Sequence, residues 1–323
     1  MTTVLISSPS GKRQAVYDRF TALGWEVRLA ELGAAASEDQ VIEALEGADG
    51  VLAHIEQYTR RVLETTSTLR VISRAGVGYD AIDVAAATER NVAVCTSVGS
   101  NDRTVADYAV MLMLALARRL VEGHTTVHRD GGFTRPLGVD FFGKTVGIVG
   151  TGAIGKGVAR RVRGFDCRVL GYDVVQDPDL VAATGLEYRP LDDLLRESDF
   201  VTLHLPLLKP TYHLIGEREL GLMKGTAYLV NTARGPLVDE PALYRALADT
   251  RIAGAGIDVF EVEPLSPGSP LRTLPNVILT PHNAGGTVEA TERSGDMAGE
   301  SIIRVLRGEP PLFCVNEPSA VSP

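Results

Sequence analysis

The sequence has little of what usually marks a nucleic-acid-binding, membrane or disulfide-rich protein. Its 41 acidic residues outnumber 32 lysines and arginines, which gives a formal net charge of −9. Because nucleic acid and anionic membranes require a basic surface, we expect neither as a partner. The 323 residues include only three cysteines, at positions 95, 167 and 314, far apart and without the spacing of metal ligands. This scarcity favours a reducing, cytoplasmic setting and gives no indication of a metal site.

Long hydrophobic runs are also missing from the sequence. The N-terminus, "MTTVLISSPSG", has no basic stretch and one short apolar run, so it predicts a first strand rather than a signal peptide. The longest apolar stretch, "VADYAVMLMLALA" at 105–117, is too short to cross a bilayer and contains Asp107. It predicts a buried helix that ends near Arg118 and Arg119, whose positive charges suit a helix C-terminus.

Short β-branched runs instead alternate with helical patterns, which is typical of βαβ units and a parallel sheet. The strand candidates before residue 100 are "TVLIS", "EVRLAE", "DGVLAH", "RVISR" and "VAVCT". After a predicted helix over 102–122 the pattern restarts with "KTVGIVG", "CRVLGYD", "DFVTLHLP", "TAYLVNT", "AGAGIDV" and "NVILTP". Ser37 and Gln40 have the spacing of a capping box that opens a helix.

This restart predicts an α/β protein with two doubly wound parallel-sheet domains and a ligand cleft between them. Residues 101–284 form a Rossmann domain in this interpretation, and residues 1–100 form a flavodoxin-like domain that binds substrate. A helical pattern over 287–308 carries the chain back to the first domain, which therefore also includes residues 285–323.

The glycines of "TVGIVGTGAIGKG" predict a dinucleotide-binding turn. Gly150, Gly152 and Gly155 directly follow a strand candidate, and a helix begins at about Ala153 and Ile154. The first glycine permits the tight turn, the second lets a pyrophosphate approach the backbone, and the third lets helix and strand pack closely. The helix N-terminus then offers free N–H groups and a positive dipole end to the phosphates.

An acidic residue completes this signal. Asp173 ends the next strand candidate, near the expected separation of about 20 residues, where its carboxylate can accept hydrogen bonds from the adenosine ribose hydroxyls. The same carboxylate would repel a 2′-phosphate, and Val174 and Val175 follow it instead of an arginine. The predicted cofactor is therefore NAD rather than NADP.

Three later strand candidates are each followed by residues suited to hydride chemistry on a 2-oxo or 2-hydroxy acid. Arg234 follows one, Asp258 and Glu263 follow the next, and His282 follows the last. In open α/β sheets, ligands bind at the carboxyl ends of the strands. A histidine can exchange the proton of the hydroxyl, a carboxylate can fix its tautomer, and an arginine can hold the substrate's carboxylate or carbonyl oxygen.

Most of the chain resembles the D-isomer-specific 2-hydroxyacid dehydrogenases. The resemblance rests on "GTGAIGKGVARRVRGFDCRVLGYD", "FVTLHLPLLKPTYHLI", "MKGTAYLVNTARGPLVDEPAL", "GAGIDVFEVEPL" and "NVILTPHNAGG", which follow the family's order. It implies that Arg234, Glu263 and His282 form the catalytic set. It also implies a homodimer joined through its cofactor domains.

The resemblance implies further contacts. The backbone N–H groups of Val77 and Gly78 in "RAGVGYD" would receive the substrate carboxylate, together with Arg234 and His282. Asp258 would lie near the nicotinamide carboxamide. The residues that would line the rest of the cofactor site are His204, Pro206, Thr232, Ala233 and Gly285.

Two segments depart from the family's pattern. Where the family commonly has Asn-Thr-Pro-Gly this chain has "CTSVGSND", and where the family often has Glu-His it has Asp107-Tyr108. The first difference bears on the floor of the substrate site, and the second on packing or the dimer contact. Neither lies within the catalytic set.

The sequence determines the reaction better than the substrate. The stretch "VISRAGVGYDAIDVAAATERNVAVC" is close to the phosphoglycerate dehydrogenase pattern, but residues 53–56 read "AHIE" where that branch usually has a phosphate-binding arginine. Since Glu56 would repel a dianion, we favour glyoxylate, hydroxypyruvate or another small 2-oxo acid over 3-phosphoglycerate. Three arginines leave a phosphorylated or phosphonate substrate open: Arg74, Arg103 and Arg135.

Other functions stay open as alternatives. The chain could be an NAD(H)-sensing regulatory protein on the same fold, against which its acidic charge argues, or it could oxidise formate or phosphite. His124 and His128 have a spacing that can bind metal, but no third ligand lies nearby in sequence. We therefore interpret them as part of a solvated helix end.

Overall fold

The computed structural model describes residues 1–8, 14–33, 35–129, 131–133 and 135–317. The chain forms two compact units, here called unit 1 and unit 2. Unit 1 comprises the residues up to Asn101 and those from Gly286 onward, and unit 2 comprises Asp102–Gly285. The predicted first domain extends to residue 323, and residues 318–323 lie outside the described part of the chain.

Unit 1 is built on a five-stranded parallel sheet. Its strands are β1 (Thr3–Ile6), β2 (Glu26–Leu29), β3 (Gly50–Ala53), β4 (Val71–Arg74) and β5 (Ala93–Cys95). They lie in the order β2-β1-β3-β4-β5, and every pair is parallel. The helices between them are α1 (Gln14–Ala22), α2 (Glu38–Leu45), α3 (Arg60–Thr65) and α4 (Val84–Glu89). Successive residues of β1 belong to the two different cores on opposite faces, which explains its uninterrupted apolar sequence.

The capping box at the start of α2 is confirmed. Gln40 N donates to Ser37 Oγ at 3.3 Å, and Ser37 N donates to Gln40 Oε1 at 2.9 Å. Each residue thus satisfies a backbone N–H group that the helix itself leaves without an acceptor.

Unit 2 is built on a seven-stranded parallel sheet. Its strands are β6 (Thr145–Val149), β7 (Arg168–Tyr172), β8 (Glu187–Tyr188), β9 (Phe200–Leu203), β10 (Tyr228–Asn231), β11 (Gly254–Ile257) and β12 (Val277–Leu279). They lie in the order β12-β11-β10-β9-β6-β7-β8, and every pair is parallel. The helices are α5 (Asp102–Ala117), α6 (Leu120–His128), α7 (Ala153–Arg163), α8 (Pro178–Thr184), α9 (Leu191–Glu197), α10 (Glu217–Leu222) and α11 (Glu240–Ala248). Two parallel-sheet α/β units confirm the predicted fold class.

The buried helix predicted for 105–117 ends near Arg118 and Arg119 as expected, but the prediction that one helix extends over 102–122 is wrong. Helix α5 ends at Ala117, because Arg119 takes a left-handed conformation with φ of +48°, and α6 starts afresh at Leu120. The two helices also differ in burial: α5 buries nine of its residues, whereas none of the residues of α6 is buried. His124 and His128 lie on α6, whose residues are not buried within this chain.

The last helix, α12 (Val288–Leu306), belongs to unit 1. Thr287 caps it, with Oγ1 accepting a hydrogen bond from Ala290 N at 3.1 Å. Its apolar face joins the core on one side of the unit 1 sheet, together with α1. In the part of the chain that the structure describes, no helix has both the length and the apolar character needed to cross a membrane.

Candidate active site

Three neighbouring parallel strands of unit 2, β10, β11 and β12, end at the same edge of the sheet. The loop after β10 carries Arg234, the loop after β11 carries Asp258 and Glu263, and the turn after β12 carries His282. Parallel pairing therefore brings together residues that are widely separated in sequence.

His282 and Glu263 form a hydrogen-bonded pair. The imidazole Nδ1 lies 2.7 Å from Glu263 Oε2, and Glu263 Oε1 accepts a hydrogen bond from Phe260 N at 3.0 Å. Both carboxylate oxygens are therefore engaged. Because Nδ1 faces a carboxylate, Nε2 is the ring nitrogen left for a ligand, and 52% of the His282 side chain is exposed.

The pKa of Glu263 is held below its ordinary value even though burial acts to raise it. Hydrogen bonds from His282 and Phe260, together with the positive charges of His282 and Arg234, favour the ionised carboxylate. An ionised Glu263 stabilises a protonated imidazole and keeps a proton on Nδ1. This arrangement lets the other ring nitrogen give up or accept a proton at a substrate oxygen.

Asp258 holds the turn on which His282 lies. Its buried carboxylate accepts hydrogen bonds from Thr280 Oγ1 at 2.6 Å, Asn283 N at 2.9 Å and Ala284 N at 2.8 Å. Its carbonyl oxygen accepts a further one from His282 N at 2.8 Å. These bonds fix His282 in a left-handed conformation with φ of +50°.

The loop that carries Arg234 is fixed by Asn231 and Gly235. Buried Asn231 donates from Nδ2 to Arg234 O at 2.8 Å, and its Oδ1 accepts from Ala233 N at 3.0 Å. Gly235 rests against the next loop so closely that a Cβ would lie 1.9 Å from the carbonyl carbon of Phe260. The loops that carry Arg234 and Glu263 therefore pack directly on each other.

A second polar network anchors the Glu263 loop, and the sequence interpretation missed it. Glu261 Oε1 lies 2.9 Å from His213 Nε2 and accepts from Glu240 N at 3.1 Å, while Glu261 N donates to Glu240 Oε1 at 2.6 Å. This ties the loop to the start of α11. The only sequence signal for the network is that all three residues lie inside the family-like motifs.

In the glycine-rich turn after β6, the fold itself requires glycine at Gly150 and Gly155 but not at Gly152. Gly150 has φ of +96° and a Cβ there would lie 2.7 Å from His204 backbone atoms, while a Cβ on Gly155 would lie 2.0 Å from Gly150 O. A Cβ on Gly152 would meet nothing within 4 Å. The open space beside Gly152 is at the N-terminus of α7, where no side chain caps the helix. Free N–H groups in open space suit a phosphate group.

Asp173 is oriented by its neighbours at the end of β7. Its Oδ2 accepts from Thr151 N at 2.7 Å and Thr151 Oγ1 at 3.2 Å, and its Oδ1 accepts from Val175 N at 3.2 Å. These bonds hold the carboxylate against the glycine-rich turn and leave it lone pairs for further donors.

Two predicted cofactor-site residues have buried polar atoms without a partner among the described residues, His204 Nδ1 and Thr232 Oγ1. The other ring nitrogen of His204 lies 3.0 Å from Thr202 Oγ1, and burial lowers the pKa of His204 to about 3, so the ring is neutral. Buried polar atoms rarely lack partners in native proteins, which makes both atoms candidates for ligand contact.

The other predicted cofactor residues lie on the same edge of the sheet. Ala153 and Ile154 are the first two residues of α7. The remaining ones lie in loops or turns after strands: Pro206 after β9, Ala233 after β10 and Gly285 beyond the His282 turn.

Val77 and Gly78 lie in unit 1, in the loop after β4. Gly78 O accepts a hydrogen bond from Arg74 Nε at 2.8 Å. Within the described residues, neither amide N–H group of Val77 and Gly78 has an acceptor. Two adjacent free N–H groups suit a carboxylate.

Glu56, also in unit 1, is internal. Its carboxylate is 1% exposed and accepts hydrogen bonds from the hydroxyls of Ser7 and Tyr58 and from His54 N. Burial and the nearby Arg74 charge lower the pKa of His54, which keeps its ring neutral. The stretch after β3 therefore offers no cation.

Comparison with known proteins shows the family to which the chain belongs. A model of the family "D-isomer specific 2-hydroxyacid dehydrogenase, NAD binding domain" matches residues 110–284. The chain belongs to this family.

A glyoxylate reductase of Korarchaeum cryptofilum is 45% identical over 87% of this chain and 86% of its own. A D-3-phosphoglycerate dehydrogenase of Methanocaldococcus jannaschii is 39% identical over 91% of this chain and 56% of its own. The crystal structure of the TT0316 protein of Thermus thermophilus superposes with a TM-score of 0.89 at 35% identity, over 98% of this chain and 100% of its own.

As a D-2-hydroxyacid dehydrogenase, the protein is an NAD-dependent oxidoreductase that interconverts a 2-oxo acid and a D-2-hydroxy acid. Unit 2 fits NAD on its own features: open backbone at Gly152, a carboxylate at Asp173, and the partnerless polar atoms of His204 and Thr232. Among the described residues, no three His, Cys, Asp or Glu side chains are grouped as metal ligands.

Proposed function

We propose that this dehydrogenase uses NADH to reduce a small, unphosphorylated 2-oxo acid, with glyoxylate and hydroxypyruvate as the favoured substrates. The observation that carries the proposed chemistry is the 2.7 Å contact between His282 Nδ1 and Glu263 Oε2. The choice of substrate is supported by the identity to glyoxylate reductases and by the stretch after β3, where Glu56 is buried and His54 is neutral. That stretch itself carries no cation, although Arg74 at the end of the neighbouring strand β4 is close enough for its charge to act on His54.

NAD would be held by the open backbone at Gly152 and by Asp173, and when bound it would supply the hydride for the reaction. His282 donates the proton from Nε2 to the carbonyl oxygen, and in oxidation it takes the proton back. Glu263 stabilises the positively charged imidazole before that transfer. Arg234 orients the substrate through its planar set of donors.

The experiment is a panel of 2-oxo acids followed by NADH absorbance, with glyoxylate, hydroxypyruvate, pyruvate and the phosphorylated 3-phosphohydroxypyruvate, and with NADPH in parallel. We expect the highest kcat/KM for glyoxylate or hydroxypyruvate and a clear preference for NADH, because Asp173 repels a 2′-phosphate. Equal or faster turnover of the phosphorylated acid would reverse the proposed order of substrates.

The same assay tests the role of His282. His282→Asn should lower kcat by about 100-fold or more and leave the affinity for NADH nearly unchanged. Glu309→Gln, at an exposed position of unit 1, is the control and should retain full activity. Retained turnover in the first variant would refute the role of His282. Tight NADH binding by the wild-type chain with no turnover of any acid would favour an NAD(H)-sensing protein.

A homodimer is also part of the proposal. It is supported by residues 120–142 of unit 2, which expose an unusual number of large apolar side chains: Leu120, Val121, Val127, Phe133, Leu137, Val139 and Phe142. Exposed apolar clusters mark interaction surfaces. A second copy of the chain is the occupant we propose, since one such patch can cover its own symmetry mate. The three free cysteines support a reducing, cytoplasmic setting.

A further inference from the structure

Two cysteines that are far apart in sequence face each other in unit 1. Cys95 ends β5 and is buried, while Cys314 lies in the segment after α12 and is exposed. The two residues form an isolated antiparallel bridge. It is flanked by a hydrogen bond from Thr96 N to Phe313 O at 3.1 Å and another from Val315 N to Val94 O at 2.8 Å.

This bridge has the geometry that a disulfide requires. In an antiparallel pair of this kind, the hydrogen bonds are made by the neighbouring residues and not by the two opposite residues themselves. The Cα atoms of such a non-hydrogen-bonded pair lie about 4.5 Å apart, with the side chains close together. Disulfides span Cα separations of about 4.4–6.8 Å. The backbone therefore needs no rearrangement to join the two sulfur atoms.

The C-terminal segment is held in this register by Asn316 as well. Its Oδ1 accepts from Val94 N at 2.8 Å, and its Nδ2 donates to Val92 O at 2.9 Å and to Thr88 Oγ1 at 3.0 Å. The pairing of Cys95 with Cys314 thus does not depend on the two ladder bonds alone.

The two thiols differ in reactivity. The facing Cys95 thiol lowers the pKa of Cys314 against the opposing effect of burial, with further help from the backbone N–H groups around it. The facing Cys314 thiol, then burial, raises the pKa of Cys95 above its ordinary value. Cys314, whose Sγ donates to Asn316 Oδ1 at 3.4 Å, is therefore an exposed thiol with a lowered pKa that faces a buried cysteine, which is the arrangement of peroxide-sensing cysteines.

We propose that Cys95 and Cys314 form a reversible redox pair that a hydroperoxide converts into an intramolecular disulfide. The Cys314 sulfur attacks one peroxide oxygen, the O–O bond breaks, and hydroxide leaves and is protonated to water, which gives a sulfenic acid. The Cys95 sulfur then attacks the Cys314 sulfur, and the hydroxyl leaves with the Cys95 proton as a second water. Two thiols and one hydrogen peroxide become one disulfide and two waters, and a dithiol reductant reverses the change.

The third cysteine provides an internal control. Cys167 lies in unit 2, is buried, and donates from Sγ to Phe141 O at 3.3 Å. Burial raises its pKa to about 11. It has neither an accessible thiolate nor a facing cysteine, so the same peroxide treatment should leave it unchanged.

The test is peptide mapping after brief treatment with hydrogen peroxide, with free thiols blocked during denaturation. Trypsin separates the three cysteines into peptides 91–103, 164–168 and 308–323. We expect peptide 91–103 linked to peptide 308–323 within one chain, an unmodified thiol at Cys167, and complete recovery of thiols with dithiothreitol. Cys167→Ser should form the same disulfide as the wild-type chain.

Two further variants separate the steps. Cys314→Ser, at an exposed position, should keep its remaining thiols through the treatment. Cys95→Ala should instead accumulate a sulfenic acid at Cys314 that dimedone captures. The proposal is overturned if both thiols survive in the wild-type chain, if the disulfide joins two chains, or if Cys314 is oxidised to a sulfinic acid while Cys95 stays free.

Discussion

At the scale of single residues, the His282–Glu263 pair makes a prediction about pH. The lowered pKa of Glu263 means that its carboxylate is ionised from neutral pH down to below its ordinary value of 4.5, so the pair is lost only in more acidic solution. Glu263→Gln removes the charge that stabilises the protonated imidazole. We expect the alkaline side of the pH profile for reduction of the 2-oxo acid to move to lower pH. The maximal kcat/KM should fall by about tenfold or more.

The measurement is a pH profile of kcat/KM in the direction of reduction, with NADH affinity measured at each end. Glu309→Gln changes an exposed glutamate of unit 1 and is the matched control, for which no displacement is expected. If kcat/KM falls by the same factor at every pH and its decline at alkaline pH is not displaced, Glu263 acts by packing rather than by charge.

The sequence predicts where the polar residues of the site lie in the fold better than it predicts the hydrogen bonds that hold them. Arg234, Glu263 and His282 each follow a predicted strand, so their delivery to one edge of the sheet could be anticipated. The contacts that hold them, such as those of Asn231 and Glu261, join side chains across loops and have no periodicity to reveal them. Their catalytic roles stay predictions until the variants are measured.

At the scale of elements, the packing of two loops makes a second prediction. Gly235→Ala would place a Cβ 1.9 Å from the carbonyl carbon of Phe260, which forces apart the loops that carry Arg234 and Glu263. We expect a loss of about 1–3 kcal/mol in the free energy of unfolding. A displacement of about 1 Å in the site should lower kcat/KM by about 10- to 100-fold.

Gly221→Ala is the control for this change. A Cβ on Gly221 meets nothing within 4 Å, and its helix, α10, should gain slightly from alanine. Thermal unfolding and steady-state kinetics of both variants decide the matter. Equal kcat/KM in the two variants would mean that the packing of the loops does not position the site.

The elements themselves were predictable where their pattern was strong. Buried strands such as β6 and β9 are apolar runs between turn residues, and every predicted strand is present. Strand β8 was missed because it has only two residues, both half-buried, at the edge of the sheet. The end of α5 near Arg118 and Arg119 was predicted, but the new start of a helix at Leu120 was not, because an arginine with positive φ carries no sequence signal comparable to a glycine.

At the scale of the whole molecule, the restart of the strand pattern predicts two α/β units. Contacts between subunits, in contrast, produce no periodic pattern in the sequence from which they could be predicted. The proposed dimer therefore depends on exposure. Helix α6 buries none of its residues within the subunit, and its apolar side chains Leu120, Val121 and Val127 face outward. An amphipathic surface helix normally has the opposite arrangement, with its apolar stripe on the core. The simplest account is that another chain covers this helix.

Charge placed on that surface tests the dimer. In a two-fold interface each substitution occurs twice, so Val127→Glu or Leu137→Glu would bury two unpaired carboxylates. We expect the wild-type chain to sediment as a dimer of 34.5 kDa subunits and both variants to dissociate at micromolar concentration. Val288→Glu, at an exposed position of unit 1, is the control and should stay dimeric. A monomeric wild-type chain would contradict the proposed dimer. Equal dissociation of the Val288→Glu variant would show that the effect of the added charge is not specific to the exposed apolar side chains of residues 120–142.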